Sequence, residues 1–209
     1  MVPFKKLLEE EGKRIGLELP PEVLERSDRY YRLLAEWNQK VSLTSIVKEE
    51  EVVRYHFLEG FFLAQFLPGR GKMVDVGSGA GFPALPAKLL LSKMELILVE
   101  PVMRKVLFLR EVVRALSLSS VEVFRGRMEE LLHFYRDLQA DVVTSRALGR
   151  YDAFFSFCRQ ALSPSGRAIL FVSERGRRDL SSSTSGFSLV QEVQLPTRRR
   201  GFLLFFSPG

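Results

Sequence analysis

The sequence predicts an α/β fold in which a mostly parallel sheet follows an N-terminal helical extension. From Met73 onward, short apolar strand-like segments alternate with longer helical patterns, which is typical of parallel α/β folds. A glycine-rich run follows the first of these strands, and residues 1–70 carry a helical pattern. With 209 residues, of which 46% are hydrophobic, the chain suits a single domain. We expect residues 1–70 to form the extension and residues 71–209 the sheet with its helices.

Two helices are predicted in the extension. Pro20-Pro21 opens the first, and the second runs from about Glu49 to Phe66. The valine and phenylalanine side chains of the second helix are too apolar to face solvent, so we expect the extension to pack on the sheet. One face of the first helix comprises Leu24, Tyr31, Leu34, Asn38 and Val41.

Seven strands are predicted after the extension. Because right-handed crossovers connect parallel strands, the loops that follow these strands should share one edge of the sheet. The last two strands follow a serine-rich linker, Ser181–Gly186, and are predicted to form a closing antiparallel pair. The predicted strands are Met73–Gly77, Glu95–Glu100, Val121–Phe124, Asp141–Ser145, Arg167–Val172, Phe187–Val193 and Gly201–Phe206. The predicted helices between them are roughly Pro83–Leu91, Val102–Leu116, Met128–Leu138 and Tyr151–Leu162.

The loop after the first strand predicts a nucleotide-type cofactor site. Gly77, Gly79 and Gly81 can adopt backbone conformations barred to other residues and let a ligand touch the main chain. A dinucleotide fingerprint needs a third small residue at the position of Phe82, which counts against NAD or FAD. Asp75 places a carboxylate at the end of the strand, where it can attract a cation. S-adenosylmethionine offers an ammonium and a sulfonium group there.

The end of the second strand supports the same cofactor. Glu100 closes the apolar run Glu95–Glu100 and lies 19 residues beyond Gly81. An acidic residue about 20 residues after a glycine loop binds ribose hydroxyls in nucleotide-binding βαβ units. The glycine run alone is a weak signal that a flexible loop would also explain. Together with Asp75 and Glu100 it predicts a bound adenosyl ligand.

Composition excludes several other classes of protein. No apolar run approaches the roughly 18 residues of a membrane span, and acidic residues 9–11 follow Lys5 and Lys6 where a signal peptide would be apolar. The single cysteine, Cys158, cannot form an internal disulfide and is interpreted as a buried core residue. His56 and His133 are far apart, so no metal site is expected. We therefore expect a cytoplasmic protein with no metal and no membrane contact.

The positive charge is concentrated in the second half of the chain. Residues 1–100 hold 14 basic and 15 acidic residues, whereas residues 101–209 hold 17 and 10. Every cation after Lys105 is an arginine, whose planar fork suits phosphates and base edges. This pattern makes nucleic acid a plausible partner. The alternative is that the arginines only solvate the surface.

These features together resemble the small-subunit ribosomal RNA methyltransferase G family, also called glucose-inhibited division protein B. The resemblance runs from about Trp37 to Phe206, and the most specific part is the Gly-Ser-Gly-Ala-Gly-Phe-Pro string that ends at Pro83. The matching positions are Trp37-Asn38, Leu43-Thr44, His56, Asp75 to Pro83, Glu100, Lys105, Phe108-Leu109, Arg127, Glu129 and Ser145-Arg146-Ala147.

The resemblance implies a Rossmann-like class I S-adenosylmethionine-dependent methyltransferase that modifies N7 of one guanine in 16S ribosomal RNA, leaving S-adenosylhomocysteine as product. Guanine N7 carries a free in-plane lone pair, so catalysis can rest on proximity and alignment without a general base. The fourth strand, which ends at Arg146, lacks the Asp/Asn-Pro-Pro-aromatic signature of amino-group methylation. Nor does the sequence hold a Pro-Cys or Thr-Cys nucleophile of the carbon-5 type. Arg146 can instead donate to guanine O6 or hold a phosphate.

The resemblance also assigns roles to individual residues. Arg146 and His56 are the catalytic candidates, although His56 on an aromatic-rich helix is also explained as a structural residue, and Arg146 as an ion-pair partner. The cofactor-binding candidates are Asp75, Gly77, Ser78, Gly79, Gly81, Phe82, Glu100, Arg127, Met128, Glu129 and Arg146. The candidates for contact with 16S ribosomal RNA or the small ribosomal subunit are Asn38, Lys105, Arg175, Arg177, Arg178, Arg198, Arg199 and Arg200. For Arg198–Arg200 a solvated turn is an equal alternative, and Arg175, Arg177 and Arg178 carry the same alternative of solvated residues. Asn38 is also explained as a cap or helix-contact residue.

One departure from the family concerns the helix of His56. The family usually has an Asp-Ser pair where this chain has Glu59-Gly60, so the resemblance does not define the polar contacts of this helix. Two other functions also fit the residues: a methyltransferase acting on a small molecule, and an RNA-binding protein with a vestigial cofactor site. The basic second half favours RNA over a small substrate, and the intact Asp75, glycines and Glu100 argue against a vestigial site.

Overall fold

The computed structural model describes residues 3–146, 149–180, 184, 186–198 and 200–209. The described strands are β1 (Gly71–Val76), β2 (Met94–Glu100), β3 (Val121–Arg125), β4 (Ala140–Arg146), β5 (Leu162–Ser173), β6 (Phe187–Gln194) and β7 (Gly201–Pro208). The described helices are α1 (Phe4–Arg14), α2 (Pro21–Asn38), α3 (Glu49–Val52), α4 (Glu59–Ala64), α5 (Ala84–Leu90), α6 (Met103–Ala115), α7 (Met128–Phe134), α8 (Tyr151–Ala161) and α9 (Glu174–Asp179). A π-helical turn, Val53–Leu58, joins α3 to α4.

The strands form one sheet in the order β3-β2-β1-β4-β5-β7-β6. The first five of these are parallel, and β7 lies antiparallel between β5 and β6. This arrangement confirms the predicted parallel α/β sheet with a closing antiparallel pair. The strand order reverses between β1 and β4, and ligands of open α/β sheets bind beyond the carboxyl ends of the strands at such a point.

Helices cover both faces of the sheet. On one face, the N-terminal helices contribute Tyr30 and Phe57 to a core cluster that also includes Met73 of β1 and Phe205 of β7. On the other face, α7 and α8 pack over a second cluster, which includes Phe155. The N-terminal helices therefore share buried apolar surface with the sheet, and this packing brings α2 and the π turn against the loop after β1.

The structure corrects several predicted boundaries. The helix predicted from Glu49 to Phe66 is interrupted by the π turn and ends at Ala64; the apolar pattern did not reveal the π turn because apolar residues continue through Val53–Leu58. The helix predicted over Met128–Leu138 ends at Phe134, and β5 begins at Leu162, five residues before the prediction. Of the predicted linker Ser181–Gly186, Thr184 and Gly186 are described and the other residues lie outside the described part of the chain.

Candidate functional site

Three polar side chains predicted from the sequence meet at the carboxyl edge of the sheet. Asp75 lies near the end of β1, Glu100 ends β2 and Arg146 ends β4. Because β1 pairs in parallel with both β2 and β4, these ends lie side by side. The structure therefore brings together the residues proposed for the cofactor and those proposed for the reacting base.

The glycine loop after β1 is held by main-chain hydrogen bonds. Gly77 and Ser78 donate their N–H groups to the carbonyl of Val99, at 2.9 and 3.1 Å. Gly77 and Gly79 have φ values of +73° and +58°, and an added Cβ at either position would meet no atom closer than 3.9 Å. The free space beside these two glycines fits a ligand lying against the main chain.

Gly81 serves a different purpose from the one predicted. It shares the positive φ, at +87°, but a Cβ there would lie 2.6 Å from the hydroxyl of Tyr30. That hydroxyl donates a hydrogen bond to the carbonyl of Ala80. Gly81 thus makes room for Tyr30 of α2 to anchor the loop, and its missing side chain faces protein and not ligand space.

Glu100 is buried at 3% exposure and ties the loop to the end of β2. One carboxylate oxygen accepts from the N–H of Gly79 at 2.8 Å, and the other accepts from the N–H of Val102 at 2.9 Å. A carboxylate has about four acceptor sites, so each oxygen retains capacity for a hydroxyl donor. This geometry fits the predicted role of Glu100 toward ribose.

Asp75 carries a buried oxygen with no described partner. Its side chain is 1% exposed, Oδ2 makes no hydrogen bond, and the hydroxyl of Ser78 donates to the main-chain carbonyl of Asp75. Burial raises the pKa of Asp75 to about 7, and the nearby charge of Glu100 acts in the same direction. Thr144, which lies opposite Asp75 on the neighbouring strand β4, also has a buried hydroxyl without a described partner. A buried carboxylate with an unpartnered oxygen beside open loop space fits a cationic ligand such as S-adenosylmethionine.

A cavity of about 190 Å³ continues this site between β1, β2 and the start of α7. Its walls are largely apolar or main chain, as a flat base requires, and include the three residues predicted after β3. The lining comprises Val76, Gly77, Val99, Pro101, Gly126, Arg127, Met128, Glu129 and Arg150. Its volume and apolar walls are compatible with a flat aromatic ring.

Phe82, placed by the resemblance among the cofactor-binding residues, lies between two other rings. It stacks on Tyr30 at a centroid distance of 5.0 Å and on His56 at 4.3 Å, with planes within 8° in both pairs. Phe82 is 7% exposed. Its contacts fasten the cofactor loop to α2 and the π turn.

His56 is buried and hydrogen-bonded. Its Nε2 lies 3.0 Å from the Thr44 hydroxyl, and its Nδ1 lies 3.3 Å from the Tyr55 carbonyl oxygen and 3.5 Å from Nη1 of Arg146. Burial, reinforced by the positive charges of Arg146 and Arg198, lowers the pKa of His56 to about 3. The ring is therefore neutral at physiological pH and positions its neighbours without carrying a positive charge.

Arg146 contacts the N-terminal helices as well as the sheet. Its Nη1 donates to the Tyr55 carbonyl at 2.6 Å, and its Nη2 lies 3.3 Å from Oε2 of Glu59. Glu59 is 1% exposed and also accepts from Nε of Arg198 at 2.6 Å. A guanidinium has five N–H groups, so these contacts leave Arg146 with further donors.

A second cavity, of about 370 Å³, opens beside Arg146 at the ends of β4 and β5. It is bordered by four arginines, Arg146, Arg175, Arg198 and Arg200, and by two acids, Glu59 and Asp179. The remaining lining residues are Gly149, Tyr151, Phe171, Val172, Ser173, Gly176, Leu195 and Gly201. The basic wall suits an anionic or base-edge ligand.

The other residues predicted to contact RNA lie on α9, in the β6–β7 turn and on α6. Arg175 has an 88% exposed side chain, Arg200 is exposed, and Arg177 pairs with Glu192 at 2.9 Å while lying over the ring of Phe202. Arg178 lies in α9 with Arg175 and Arg177. Lys105 lies in the first turn of α6, next to the end of β2. Arg199 lies outside the described residues.

Asn38 and Arg198 both make contacts within the protein. The side-chain oxygen of Asn38 accepts from the N–H groups of Leu43 and Thr44, and its amide donates to the Thr44 carbonyl. Asn38 therefore shapes the loop that presents Thr44 to His56. Arg198 is not the solvated turn residue offered as an alternative, because it pairs with the buried Glu59 and lies over the ring of Tyr55 at 4.2 Å.

Sequence reasoning missed Glu59 and Tyr30 as parts of this site. Glu59 is an acidic residue within the apolar run from Phe57 to Phe62, and such an isolated acid signals a buried carboxylate with partners. Tyr30 gave no comparable signal, since its contact with Ala80 spans 50 positions.

No helix in the described part of the chain is long and apolar enough to cross a bilayer. No group of three or more described His, Cys, Asp or Glu side chains is arranged to hold a metal ion.

Residues 23–199 match the sequence profile of the family described as rRNA small subunit methyltransferase G. The chain is 35% identical over 182 residues to ribosomal RNA small subunit methyltransferase G of Geotalea uraniireducens, covering 87% of this chain and 82% of that protein. It is 32% identical over 194 residues to the Streptococcus pyogenes protein of the same name, with coverages of 90% and 79%. The precorrin-6y C5,15-methyltransferase structure from Geobacter metallireducens superposes with a TM-score of 0.59 at 12% identity, covering 85% of this chain and 98% of that one. This similarity confirms the predicted class I methyltransferase fold.

Proposed function

Because this chain belongs to the rRNA small subunit methyltransferase G family, we propose that it transfers a methyl group from S-adenosylmethionine to N7 of one guanine in 16S ribosomal RNA. The observation that carries the proposal is the unpaired, buried Oδ2 of Asp75 beside the open main chain of Gly77 and Gly79. That arrangement accepts a cationic adenosyl ligand, and the arginine-bordered cavity adjoins it at Arg146. The proposal places the protein in the cytoplasm, with its rRNA substrate.

The chemistry asks little of the protein beyond alignment. Bound S-adenosylmethionine would supply an electrophilic methyl group to the N7 lone pair and would leave as S-adenosylhomocysteine. Asp75 would face the cationic end of the cofactor, and Glu100 would accept hydrogen bonds from its ribose. No residue has to remove a proton, which agrees with the low pKa of His56, because a group with a pKa of about 3 is a poor base.

Arg146 is the residue proposed to orient the guanine. It lies at the carboxyl end of β4, between the cofactor loop and the 370 Å³ cavity, and retains N–H donors for guanine O6. We expect Arg146→Ala to keep cofactor affinity within a few-fold but to lower methyl transfer on the order of a hundredfold, because misplacement of about 1 Å has that effect on rate.

A carbon-5 methyl transfer would need an accessible thiol nucleophile, but Cys158 is buried in α8, where burial raises the pKa of its thiol.

The two alternative functions predict different properties. A methyltransferase of small molecules has no need of the exposed arginines of α9 and the β6–β7 turn. A vestigial site would not preserve an unpaired buried acid, since such a group destabilises the protein without a ligand.

The deciding experiment combines the purified protein with methyl-labelled S-adenosylmethionine and either naked 16S rRNA or the small ribosomal subunit. We expect label in one guanine, mapped by reduction and aniline cleavage at N7-methylguanine. Gly79→Val serves as the cofactor-site control and should give no label. Cofactor binding without label in either RNA substrate would contradict the proposal in favour of a small-molecule substrate. Absence of cofactor binding would favour the RNA-binding protein with a vestigial site.

A further inference from the structure

Glu59 joins three parts of the protein that are far apart in sequence. Its carboxylate pairs with Arg146 at the end of β4 and with Arg198 in the β6–β7 turn, and it accepts from the Thr197 hydroxyl at 3.0 Å. Glu59 itself begins α4 and is 1% exposed. It therefore links the N-terminal helices to both the catalytic edge and the basic turn.

The neighbouring Gly60 fixes how closely α4 approaches the cofactor loop. A Cβ at Gly60 would lie 2.5 Å from the carbonyl oxygen of Pro83 and 2.7 Å from Cβ of Pro86. Only glycine permits this contact. Gly60 thus lets α4 pack against the cofactor loop, and Glu59 joins α4 to the two arginines.

Stability alone does not explain a carboxylate at this position. A buried ion pair often stabilises a fold no better than apolar residues of similar volume, because removing both charges from water is costly. The chain neighbours of Glu59, which include Phe57, Leu58 and Phe61, are buried apolar residues, so its charge is an exception in this segment. The carboxylate instead fixes the orientation of the Arg146 and Arg198 guanidinium groups, because it pairs with both.

We propose that Glu59 is a positioning residue for methyl transfer, holding Arg146 and Arg198 in one arrangement at the edge of the 370 Å³ cavity. The proposal rests on the function proposed for Arg146. Without the negative charge of Glu59, two guanidinium groups would face each other in a poorly solvated site and repel. Arg146 would then turn away from the position that orients the guanine.

The test is a double-mutant cycle with single-turnover methyl transfer to saturating rRNA substrate. We expect Glu59→Gln to lower the rate at least tenfold, with the Kd for S-adenosylmethionine changed less than threefold. In an Arg146→Ala background the same substitution should lower the rate less than twofold, because Glu59 acts through Arg146. Equal losses in both backgrounds, or an unchanged rate in the parent background, would overturn the proposal.

Two further variants separate positioning from folding. Glu11 is a matched control, since it is 8% exposed and pairs with two arginines, Arg14 and Arg54. Glu11→Gln should change the transfer rate less than twofold. Thr197→Val removes one hydrogen bond to Glu59 and no charge, so it should fold and lower the rate two- to threefold. If Glu11→Gln matches the loss in Glu59→Gln, or if Thr197→Val transfers at the parent rate, the positioning role is wrong.

A readout without activity distinguishes this proposal from the proposed function. An arginine-specific dicarbonyl reagent followed by peptide mass mapping measures the access of reagent to Arg146, whose side chain is 19% exposed. Modification of Arg146 should rise at least threefold in Glu59→Gln and remain unchanged in Glu11→Gln. Equal modification rates would refute the positioning role even if the parent protein methylates no rRNA, an outcome that would refute the proposed function alone.

Discussion

The ring of His56 stacks on the ring of Phe82, with centroids 4.3 Å apart and planes 8° apart. Phe82 belongs to the cofactor loop, whereas His56 belongs to the π turn of the N-terminal helices. Tyr30 of α2 stacks on the opposite side of Phe82. The loop proposed to bind the cofactor is thus held by helices that precede the sheet, and the same His56 lies 3.5 Å from the Arg146 guanidinium.

The first prediction concerns the space beside Gly79. Gly79→Val should abolish binding of S-adenosylmethionine, because the new side chain occupies the open space against the main chain. The positive φ of +58° also adds strain, on the order of 1–2 kcal/mol. Isothermal titration calorimetry measures the binding.

Gly16 is the control for that strain. It has a φ of +76°, and a Cβ there would meet no atom within 4 Å, so Gly16→Val carries the same backbone penalty away from the loop. We expect it to lower the melting temperature and to retain the parent affinity. Parent-like affinity in Gly79→Val would show that the cofactor lies elsewhere.

The second prediction is a pH dependence of cofactor affinity. The pKa of Asp75 is about 7 in the free protein, raised mainly by burial and further by Glu100, while a hydrogen bond from Ser78 and the charge of Arg146 oppose the shift. A bound cation favours the ionised carboxylate, so binding below about pH 7 must release a proton. Affinity should therefore rise with pH by up to about tenfold per unit between pH 5 and 7. A flat profile over that range, measured by calorimetry in two buffers, would contradict the role of Asp75.

The third prediction concerns stability in the absence of cofactor. The pKa of His56 falls from 6.5 to about 3 on folding, so the unfolded chain binds the extra proton between these values and stability rises with pH. The pKa of Asp75 rises from 3.8 to about 7, so the folded chain binds the extra proton and stability falls with pH. Each slope amounts to about 1.4 kcal/mol per pH unit, and between about pH 4 and 6.5 the two oppose each other.

Single substitutions should expose each slope. Relative to the parent, Asp75→Asn should gain stability as pH rises from 4.5 to 6.5, and His56→Gln should lose stability over the same range. Urea unfolding at several pH values gives the free energies. Parallel pH curves for all three proteins would show that neither group titrates as the structure indicates.

The fourth prediction concerns the salt dependence of rRNA binding. Arg175 and Arg200 border the large cavity and are exposed, so replacing both with Gln should flatten the log–log salt dependence of rRNA binding by about one unit per lost phosphate contact. The matched control replaces Arg32 and Arg114, whose side chains are 78% and 76% exposed on other helices. An identical slope in both double variants would place the RNA contacts elsewhere. Arg198 is excluded from this test because it pairs with Glu59.

Much of the cofactor half of the site could be predicted from the sequence. Asp75 and the glycines are adjacent in the chain, and Glu100 ends the next strand, so a rule that connects parallel strands at one edge suffices to bring them together. The parallel strands and the closing antiparallel pair were predicted from the alternation of apolar segments, whereas the order of the strands came only from the structure. The glycine pattern did not predict that these glycines have different surroundings. Gly79 faces open space, whereas Gly81 faces Tyr30.

The substrate half depended on contacts between distant segments. Arg146 and His56 are separated by 90 positions, and Arg198 and Glu59 by 139, so no local spacing relates them. By itself the sequence determined the sheet, the cofactor loop and the two acids that serve it, because those follow from short-range periodicity and chain direction. Only the tertiary structure decided that a buried carboxylate on α4 holds two arginines at the catalytic edge, because burial and ion pairing arise when separate elements pack together.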